Sequence, residues 1–167
     1  ERDDTTIVDH IQGDIRFENV SFSYPNTDKI VLENLSFHIP AGQIVALVGE
    51  NAAGKSTIVK LLSRLYDDYD GQILIDGIDS QLIKRESLYK HLTVTMQNFN
   101  HYEATVHDNI AYGDWDNLQD DRDTIEYIAE QIGIDDMIQE FPDRYDQMLG
   151  RMFGGIDLSG GQWQKLA

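Results

Sequence analysis

The sequence predicts an α/β fold in three successive parts: an antiparallel β-rich part, one strand–loop–helix unit and an acidic helical part. Three observations support this prediction. Residues 14–40 contain two stretches in which apolar and polar residues alternate, as in half-buried strands. Residues 43–66 contain a short apolar run, a glycine-containing loop and an amphipathic stretch. Residues 120–140 place apolar residues at helical spacing among acidic ones.

The strands are predicted from alternation and from the turn residues that end each stretch. "DIRFENVSFSYP" ends at Pro25, and "VLENLSFHIP" repeats the pattern up to Pro40. "QIVALVG" (residues 43–49) is nearly all apolar, which is typical of a strand covered on both faces. We also expect strands at "GQILIDG" (71–77), with a turn at its end, and at "HLTVTMQ" (91–97).

The two helical predictions depend on apolar stripes at a spacing of three and four residues. In "KSTIVKLLSRLY" the stripe consists of Ile58, Leu61, Leu62 and Leu65. In the acidic part it consists of Ile125, Ile128, Ala129 and Ile132.

Composition excludes several classes of function. The chain has 167 residues, with 13 basic against 30 acidic residues and a net charge of -17, so we expect no nucleic acid as partner. It has no cysteine, which excludes disulfides and thiolate metal sites. No apolar run approaches the roughly 20 residues of a membrane helix, and the polar start "ERDDTTIVDH" is unlike a signal peptide.

The loop "GENAAGKST" fits the phosphate-binding pattern G-x-x-x-x-G-K-[ST]. In such a loop successive backbone N–H groups and the start of the following helix face an anion. Lys55 would supply a positive charge to the β- and γ-phosphates, and the Ser56 hydroxyl would bind Mg²⁺. A chance match in a glycine-containing turn is the alternative, but a strand before the loop and a helix after it favour the functional interpretation. The predicted ATP-binding residues are Gly49, Glu50, Asn51, Ala52, Ala53, Gly54, Lys55, Ser56 and Thr57.

A second candidate site lies in "LSGGQWQKLA", at the end of the sequence. Ser159 and Gln162 fit a helix capping box. That pattern does not explain Gly160 and Gly161, since each glycine in a helix costs about 1 kcal/mol relative to alanine. Paired glycines leave backbone N–H groups uncovered, so the sequence predicts a second phosphate-facing helix end.

The phosphate-binding loop followed by "LSGGQ" resembles the ATP-binding cassette (ABC) family, and residues 14–167 follow the order of motifs in that family. The resemblance implies a P-loop NTPase fold of ABC type. It implies that Tyr24, after "FENVSFS", stacks on adenine. It also implies that Gln97, at the end of "HLTVTM", contacts Mg²⁺ and, with Lys55, serves catalysis.

The stretches "VLENLSF", "GQILIDG" and "TVHDNIAYG" are most similar to ABC exporters. The resemblance then implies that residues 1–12 are a linker from a membrane-spanning domain, and that 13–167 are a partial nucleotide-binding domain on the cytoplasmic face of the cell membrane. Residues 98–160 would be its helical subdomain. It further implies a head-to-tail dimer, in which Ser159, Gly160, Gly161 and Gln162 close over ATP bound to the partner domain.

Some residues depart from the family pattern. Ala52 stands where the family usually has glycine, and a positive φ there would cost about 1–2 kcal/mol. Many exporters have an acidic pair before the signature, and this sequence has Arg151 at that place, so the contact with the membrane domain is expected to differ. Asp76 ends an apolar run but is followed by Gly77, and we interpret it as a hairpin residue.

The family's catalytic glutamate, its switch histidine and two core strands are expected after the signature. We therefore expect these 167 residues by themselves to bind ATP without hydrolysing it. Three alternatives remain at this point: a soluble ABC ATPase that acts on ribosomes or DNA, a P-loop kinase or GTPase, and a non-catalytic nucleotide-binding fragment. The net charge opposes the first, and "LSGGQ" opposes the second.

Overall fold

The computed structural model describes residues 6–95, 100–151 and 154–166. The chain divides into two compact units, Glu1–Val94 and Thr95–Ala167. Among the described residues, no helix has the length and apolar character needed to cross a membrane.

An antiparallel four-stranded sheet of order β2-β1-β3-β4 forms the frame of the first unit. Ile15 of the central strand pairs with Ile39 on one side and with Ile75 on the other. The turn Asp76-Gly77 joins the last two strands, with φ of 50° and 80°, the positive values that a tight hairpin turn needs. This confirms the predicted hairpin. The strands are β1 (Ile15–Ser23), β2 (Ile30–Ile39), β3 (Asp70–Ile75) and β4 (Ile78–Asp79).

Helix α1 (Lys55–Leu62) follows the loop, and α2 (Arg85–Tyr89) follows a short 3₁₀ turn at Ser80–Leu82. Leu61 of α1 is fully buried, and Leu65 of the predicted stripe is 54% exposed because it lies beyond the end of α1. The sheet and α1 together enclose an apolar core made of Phe17, Val20, Phe22, Leu32, Leu61 and Ile73.

Residues 6–12, which the sequence predicts as part of a linker, are hydrogen-bonded to the first unit. Thr6 forms a parallel bridge with Ile83. The Val8 amide donates to Oγ of Ser87 over 2.8 Å, and that hydroxyl donates back to the Val8 carbonyl over 2.7 Å. The Gln12 amide donates to the carboxylate of Asp76. This segment is therefore held along α2 and the β3–β4 turn.

Two predicted strands are wrong in this structure. Residues 43–49 form no strand, and Ile44 and Val48 are 100% and 93% exposed. Residues 91–95 also form no strand, and 96–97 lie outside the described residues. The physical reason is the same for both: a strand needs hydrogen bonds to a neighbouring strand, and no described strand pairs with either segment.

The second unit is helical. Ile125 and Ala129 of the predicted stripe are fully buried, but Ile132 is 43% exposed because it follows the last residue of α5. The buried side chains of this unit include Val106, Ile134, Ile138, Tyr145 and Leu149. The helices are α3 (Val106–Ala111), α4 (Trp115–Leu118), α5 (Arg122–Gln131), α6 (Asp135–Gln139) and α7 (Gly160–Leu166), with a 3₁₀ turn at Arg144–Asp146.

Candidate functional site: an anion-binding loop and a glycine-led helix

Gly54 is the residue on which the shape of the loop before α1 depends. It is the N-cap of α1 and has φ of 86°, in the left-handed region that side chains disfavour. A Cβ atom on Gly54 would lie 2.6 Å from Cδ2 of the buried Leu32 and 3.3 Å from the carbonyl oxygen of Val31. A side chain here would be strained by the positive φ and would displace the buried Leu32 side chain, so both observations favour glycine.

Lys55 folds back over the loop. Its ammonium donates to the carbonyl oxygens of Gly49, over 2.7 Å, and Glu50, over 2.6 Å. The side chain thus holds a positive charge against the segment that the sequence predicts to wrap a phosphate. An anion entering the loop would meet this ammonium together with the N–H groups of Lys55 and Ser56, the first two residues of α1.

Two further positions bear on ligand binding, Ser56 and Ala52. Ser56 is exposed in the first turn of α1, so its hydroxyl is accessible to a ligand. Ala52 has φ of 65°. The positive φ considered for this position from the sequence is therefore present, and alanine holds it at a cost of about 1–2 kcal/mol.

Tyr24 lies one residue beyond β1 and is half-buried. Its hydroxyl is 2.9 Å from Oγ1 of Thr57, which is only 3% exposed. The rings of Phe22 and Tyr66 meet it edge-on, with centroids 5.0 Å and 5.3 Å away. The first unit thus brings together the predicted adenine platform and the helix that follows the predicted phosphate loop.

In the second unit, Ser159 and Gln162 form the capping box predicted at the start of α7. Gly160 and Gly161 are exposed, and a methyl group added to either would meet no atom within 4 Å. Neither has a positive φ. Packing and backbone conformation within the chain therefore give no reason for these glycines. The helix itself is anchored by Trp163, which is buried and stacks on His101 with ring centroids 4.4 Å apart.

The predicted site residues fall into two groups. Tyr24 and residues 49–57 belong to the first unit, residues 159–162 belong to the second, and Gln97 lies outside the described residues. Within the described parts of the chain, no group of three or more histidine and carboxylate side chains could hold a metal ion. The sequence reasoning missed Leu32 and Lys60, the latter 3.4 Å from the Tyr24 hydroxyl.

A comparison with known protein families shows what the chain as a whole is similar to. Residues 32–167 match the family model described as "ABC transporter". The chain is 41% identical over 171 residues to the ATP-dependent lipid A-core flippase of Aliivibrio fischeri, and it covers 28% of that protein. It is also 41% identical over 168 residues to the flippase of the same name from Photorhabdus laumondii, again covering 28%. The chain therefore spans little more than a quarter of the length of these relatives.

A solved structure gives the same result at the level of the fold. The structure of a bacterial Atm1-family ABC exporter with ATP bound matches with a TM-score of 0.82 and 36% sequence identity. The match covers 98% of this chain and 29% of that one.

Proposed function

Because the chain belongs to the ABC transporter family, we propose that it is the ATP-binding part of an exporter that couples ATP binding and hydrolysis to transport across a membrane. The predicted ABC-type α/β fold, incomplete relative to longer relatives, is confirmed by the family match and by the likeness to an exporter structure. Beyond family membership, we propose an activity, the residues of the ATP-binding site and two partner domains.

One observation carries the proposal: the geometry at Gly54 and Lys55. A side chain on Gly54 would be strained by its positive φ and would press on Leu32. The Lys55 ammonium is held on the carbonyls of Gly49 and Glu50, beside the start of α1. A positive helix end, an ammonium and a tight glycine turn together suit a triphosphate in a chain whose net charge of -17 would otherwise repel it.

We assign the phosphates to residues 49–57 and the adenine ring to Tyr24. Ser56 is the proposed protein ligand of Mg²⁺, since its exposed hydroxyl lies in the first turn of α1. When bound, Mg²⁺ neutralises part of the phosphate charge. For Gln97, we propose a contact with Mg²⁺ and a role in catalysis on the basis of the family resemblance alone.

A second nucleotide-binding domain is the proposed partner of Ser159, Gly160 and Gly161. The glycines are exposed and have no packing role in their own unit, so a phosphate on another domain could approach their N–H groups closely. The membrane-spanning domain is proposed to precede this chain, as the resemblance to exporters implies, and relatives more than three times its length leave room for such a domain. The site would then lie on the cytoplasmic face of the membrane.

The test compares ATP binding and phosphate release in the full-length protein and its Lys55→Ala variant. We expect Lys55→Ala to abolish measurable binding of Mg-ATP and turnover, because it removes the positive charge that this loop offers to the phosphates. Lys90→Ala is the matched control, since it removes an exposed lysine outside the loop and should change neither. Equal ATP affinity in wild type and Lys55→Ala would overturn the assignment.

The soluble alternative is separated from the exporter by a membrane assay. In vesicles that contain the full-length protein, ATP hydrolysis should be retained after washing with high salt, which removes peripheral proteins. Recovery of the ATPase activity in the wash would favour the soluble class.

A further inference from the structure

Residues 6–14, which we call the strap, lead into β1 and lie against the body of the first unit. At the far end of the strap, the Thr6 amide donates to the carbonyl of Leu82 over 2.8 Å. The Lys84 amide donates to the Thr6 carbonyl, also over 2.8 Å. These two bonds make the parallel bridge between Thr6 and Ile83. The strap is therefore paired at this end in the way that a short strand is paired.

Ser87 of α2 holds the middle of the strap. Its hydroxyl accepts the Val8 amide over 2.8 Å and donates to the Val8 carbonyl over 2.7 Å. A hydroxyl can do both because it has one donor and two acceptor lone pairs. Ser87 is only 8% exposed, so little water can compete for these bonds. Val8 and Ile11 also pack against the buried apolar cluster that contains Leu88.

Asp76 holds the end of the strap that adjoins β1. Its two carboxylate oxygens accept the amide of Gln12, over 2.6 Å, and the amide of Asp14, over 2.9 Å. The Asp76 amide donates in turn to the Asp14 carbonyl over 2.8 Å. Directly after Asp14 the chain enters β1, which pairs with a strand on each side. The strap is thus attached at both ends and in the middle.

These attachments determine how a movement of the preceding chain would reach the first unit. A free polar linker changes its end-to-end distance at little cost, so it would absorb a displacement. The strap cannot lengthen or turn without breaking hydrogen bonds at Thr6, Ser87 or Asp76. A displacement of the first unit therefore carries the strap with it, and the chain before Thr6 must follow.

From these attachments we infer that Ser87 and Asp76 are positioning residues for transport. They keep the strap on the first unit, so that a movement of this unit driven by nucleotide is passed along the chain to the domain that precedes it. This inference rests on the proposed function, which places a membrane-spanning domain there. Residues 6–12 are then a docked connection between the two domains, with no slack of a flexible linker.

The first measurement tests the attachments by hydrogen exchange of the strap amides in the full-length protein. Ser87→Ala should speed exchange at Val8 by about 5-fold to 100-fold, the factor that corresponds to one or two ordinary hydrogen bonds. Asp76→Asn should speed exchange at Gln12 or Asp14 by about threefold to tenfold, because its side chain offers one acceptor oxygen instead of two. Asparagine tolerates the positive φ of position 76, so the hairpin turn should be kept.

The second measurement tests the function, in vesicles that contain the full-length protein. Mg-ATP with vanadate, an analogue of the leaving phosphate, should change the pattern of tryptic cleavage in the membrane-spanning domain of the wild type. The double variant Ser87→Ala, Asp76→Asn should bind ATP with unchanged affinity and should lose most of this change in pattern. A purely structural role of the two side chains would not separate ATP binding from the response of the other domain.

The controls separate positioning from general damage. Ser87→Thr keeps the hydroxyl, so it should restore slow exchange at Val8 and the response to nucleotide. Ser63→Ala is the matched control for Ser87→Ala: Ser63 is 6% exposed, and its hydroxyl donates to the Val59 carbonyl of α1 and not to the strap. It should alter neither measurement. Asp76→Asn alone keeps the test valid if Ser87→Ala fails to fold.

Two results would overturn the inference. Unchanged exchange of the strap amides in Ser87→Ala and Asp76→Asn would mean that these side chains do not hold the strap. Faster exchange together with a full response of the membrane-spanning domain would mean that the strap serves only the stability of the first unit. Failure of the proposed function gives a different result, since the wild type would then show no response to Mg-ATP and Lys55→Ala would retain its ATP affinity.

Discussion

The backbone amide of Ser159 donates to Oε1 of Gln162 over 2.8 Å, and the amide of Gln162 donates to Oγ of Ser159 over 3.3 Å. This reciprocal pair satisfies two amides that the start of a helix leaves without acceptors. It explains the serine and the glutamine of "LSGGQ" from within the chain. Gly160 and Gly161 take no part in it, and their surroundings are empty. Their role must therefore be sought in a ligand or a partner.

Gly160→Ala should separate stability from activity. A methyl group there meets no atom within 4 Å, and alanine favours the helix by up to about 1 kcal/mol, so the free energy of unfolding should stay equal or rise. Turnover of ATP by the full-length protein should fall by about 100-fold, the order expected when a reacting group is displaced by about 1 Å. Chemical unfolding and phosphate release measure the two effects.

Gln164→Ala is the control for this substitution, because Gln164 is exposed on the same helix. It should change neither the unfolding free energy nor the turnover appreciably. Normal turnover in Gly160→Ala would show that no phosphate needs to approach this helix start.

Ala52→Gly should stabilise the first unit modestly. Alanine at φ of 65° carries about 1–2 kcal/mol of strain, and glycine relieves it at an entropic cost of about 0.5–1 kcal/mol. Because the positive φ is already present without a ligand, the gain should appear in the free energy of unfolding, as a rise of about 1 kcal/mol or less measured by urea unfolding.

Ala53→Gly provides the matched comparison, since Ala53 is exposed in the same loop but is not among the residues with a positive φ. It gains nothing from glycine and should leave the free energy of unfolding unchanged or lower it. An equal loss of stability in Ala52→Gly would show that the backbone at position 52 carries no appreciable strain.

Local patterns predicted the first unit well where the contacts are local. The β3–β4 hairpin follows from alternation and from Asp76-Gly77, and α1 follows from its apolar stripe. The first predicted stripe runs three residues beyond α1 and the second runs one residue beyond α5, because periodicity does not show where a helix ends. Arg64, with φ of 53°, lies just beyond α1 and turns the chain before Leu65. The run 43–49 failed for another reason: its composition suits a buried strand, but pairing depends on residues far away in the sequence.

In the candidate site, too, local motifs could be predicted from the sequence, whereas contacts between distant residues could not. The predicted phosphate loop and the capping box are contiguous motifs, so both could be proposed from the sequence alone, and the structure contains the capping box. The contact of Tyr24 with Thr57 joins residues 33 positions apart, and no spacing rule predicts it. Lys60 could have been suspected, because it shares a helix face with Thr57, but only the fold shows that Tyr24 lies against that face.

Asp67→Asn should destabilise the first unit at neutral pH. The carboxylate of Asp67 receives two hydrogen bonds of 3.0 Å from the Arg64 guanidinium, whose side chain is only 3% exposed, and it also pairs with Arg85. The substitution leaves a buried cation without its carboxylate. We expect a loss of about 2–3 kcal/mol in the free energy of unfolding, somewhat less than for a wholly buried pair because Asp67 keeps some exposure to water.

The stabilisation by the Asp67 carboxylate should decrease as the pH falls. Burial raises the pKa of Asp67, but the hydrogen bonds from Arg64 and Arg85 outweigh it and hold that pKa below its ordinary value of 3.8. A pKa lowered by folding means that the stabilisation is present above the unfolded value and is lost as the pH falls through the folded value. The difference between wild type and Asp67→Asn should therefore shrink below about pH 4. Urea unfolding at several pH values tests this, with the exposed Asp68→Asn as control. A difference that persists unchanged at the lowest pH would contradict it.

The last prediction concerns Ile44 and Val48, two exposed apolar side chains of the run 43–49. They are almost wholly exposed in an apolar segment that pairs with no described strand, and such segments favour association of chains through their free backbone groups. Neither belongs to the apolar core beside α1. Ile44→Lys combined with Val48→Lys should therefore leave the first unit folded and reduce light scattering by the 167-residue chain.

The same double substitution should have the opposite effect in the full-length protein. If the run 43–49 forms there the doubly covered strand that its composition predicts, two buried lysines should lower the Tm and the soluble yield sharply, since unpaired charges are costly to bury. Leu65→Lys is the control, because Leu65 is an exposed apolar residue outside the run and should alter neither property much. An unchanged Tm in the double variant of the full-length protein would show that this run stays in water there and that the strand prediction fails in both contexts.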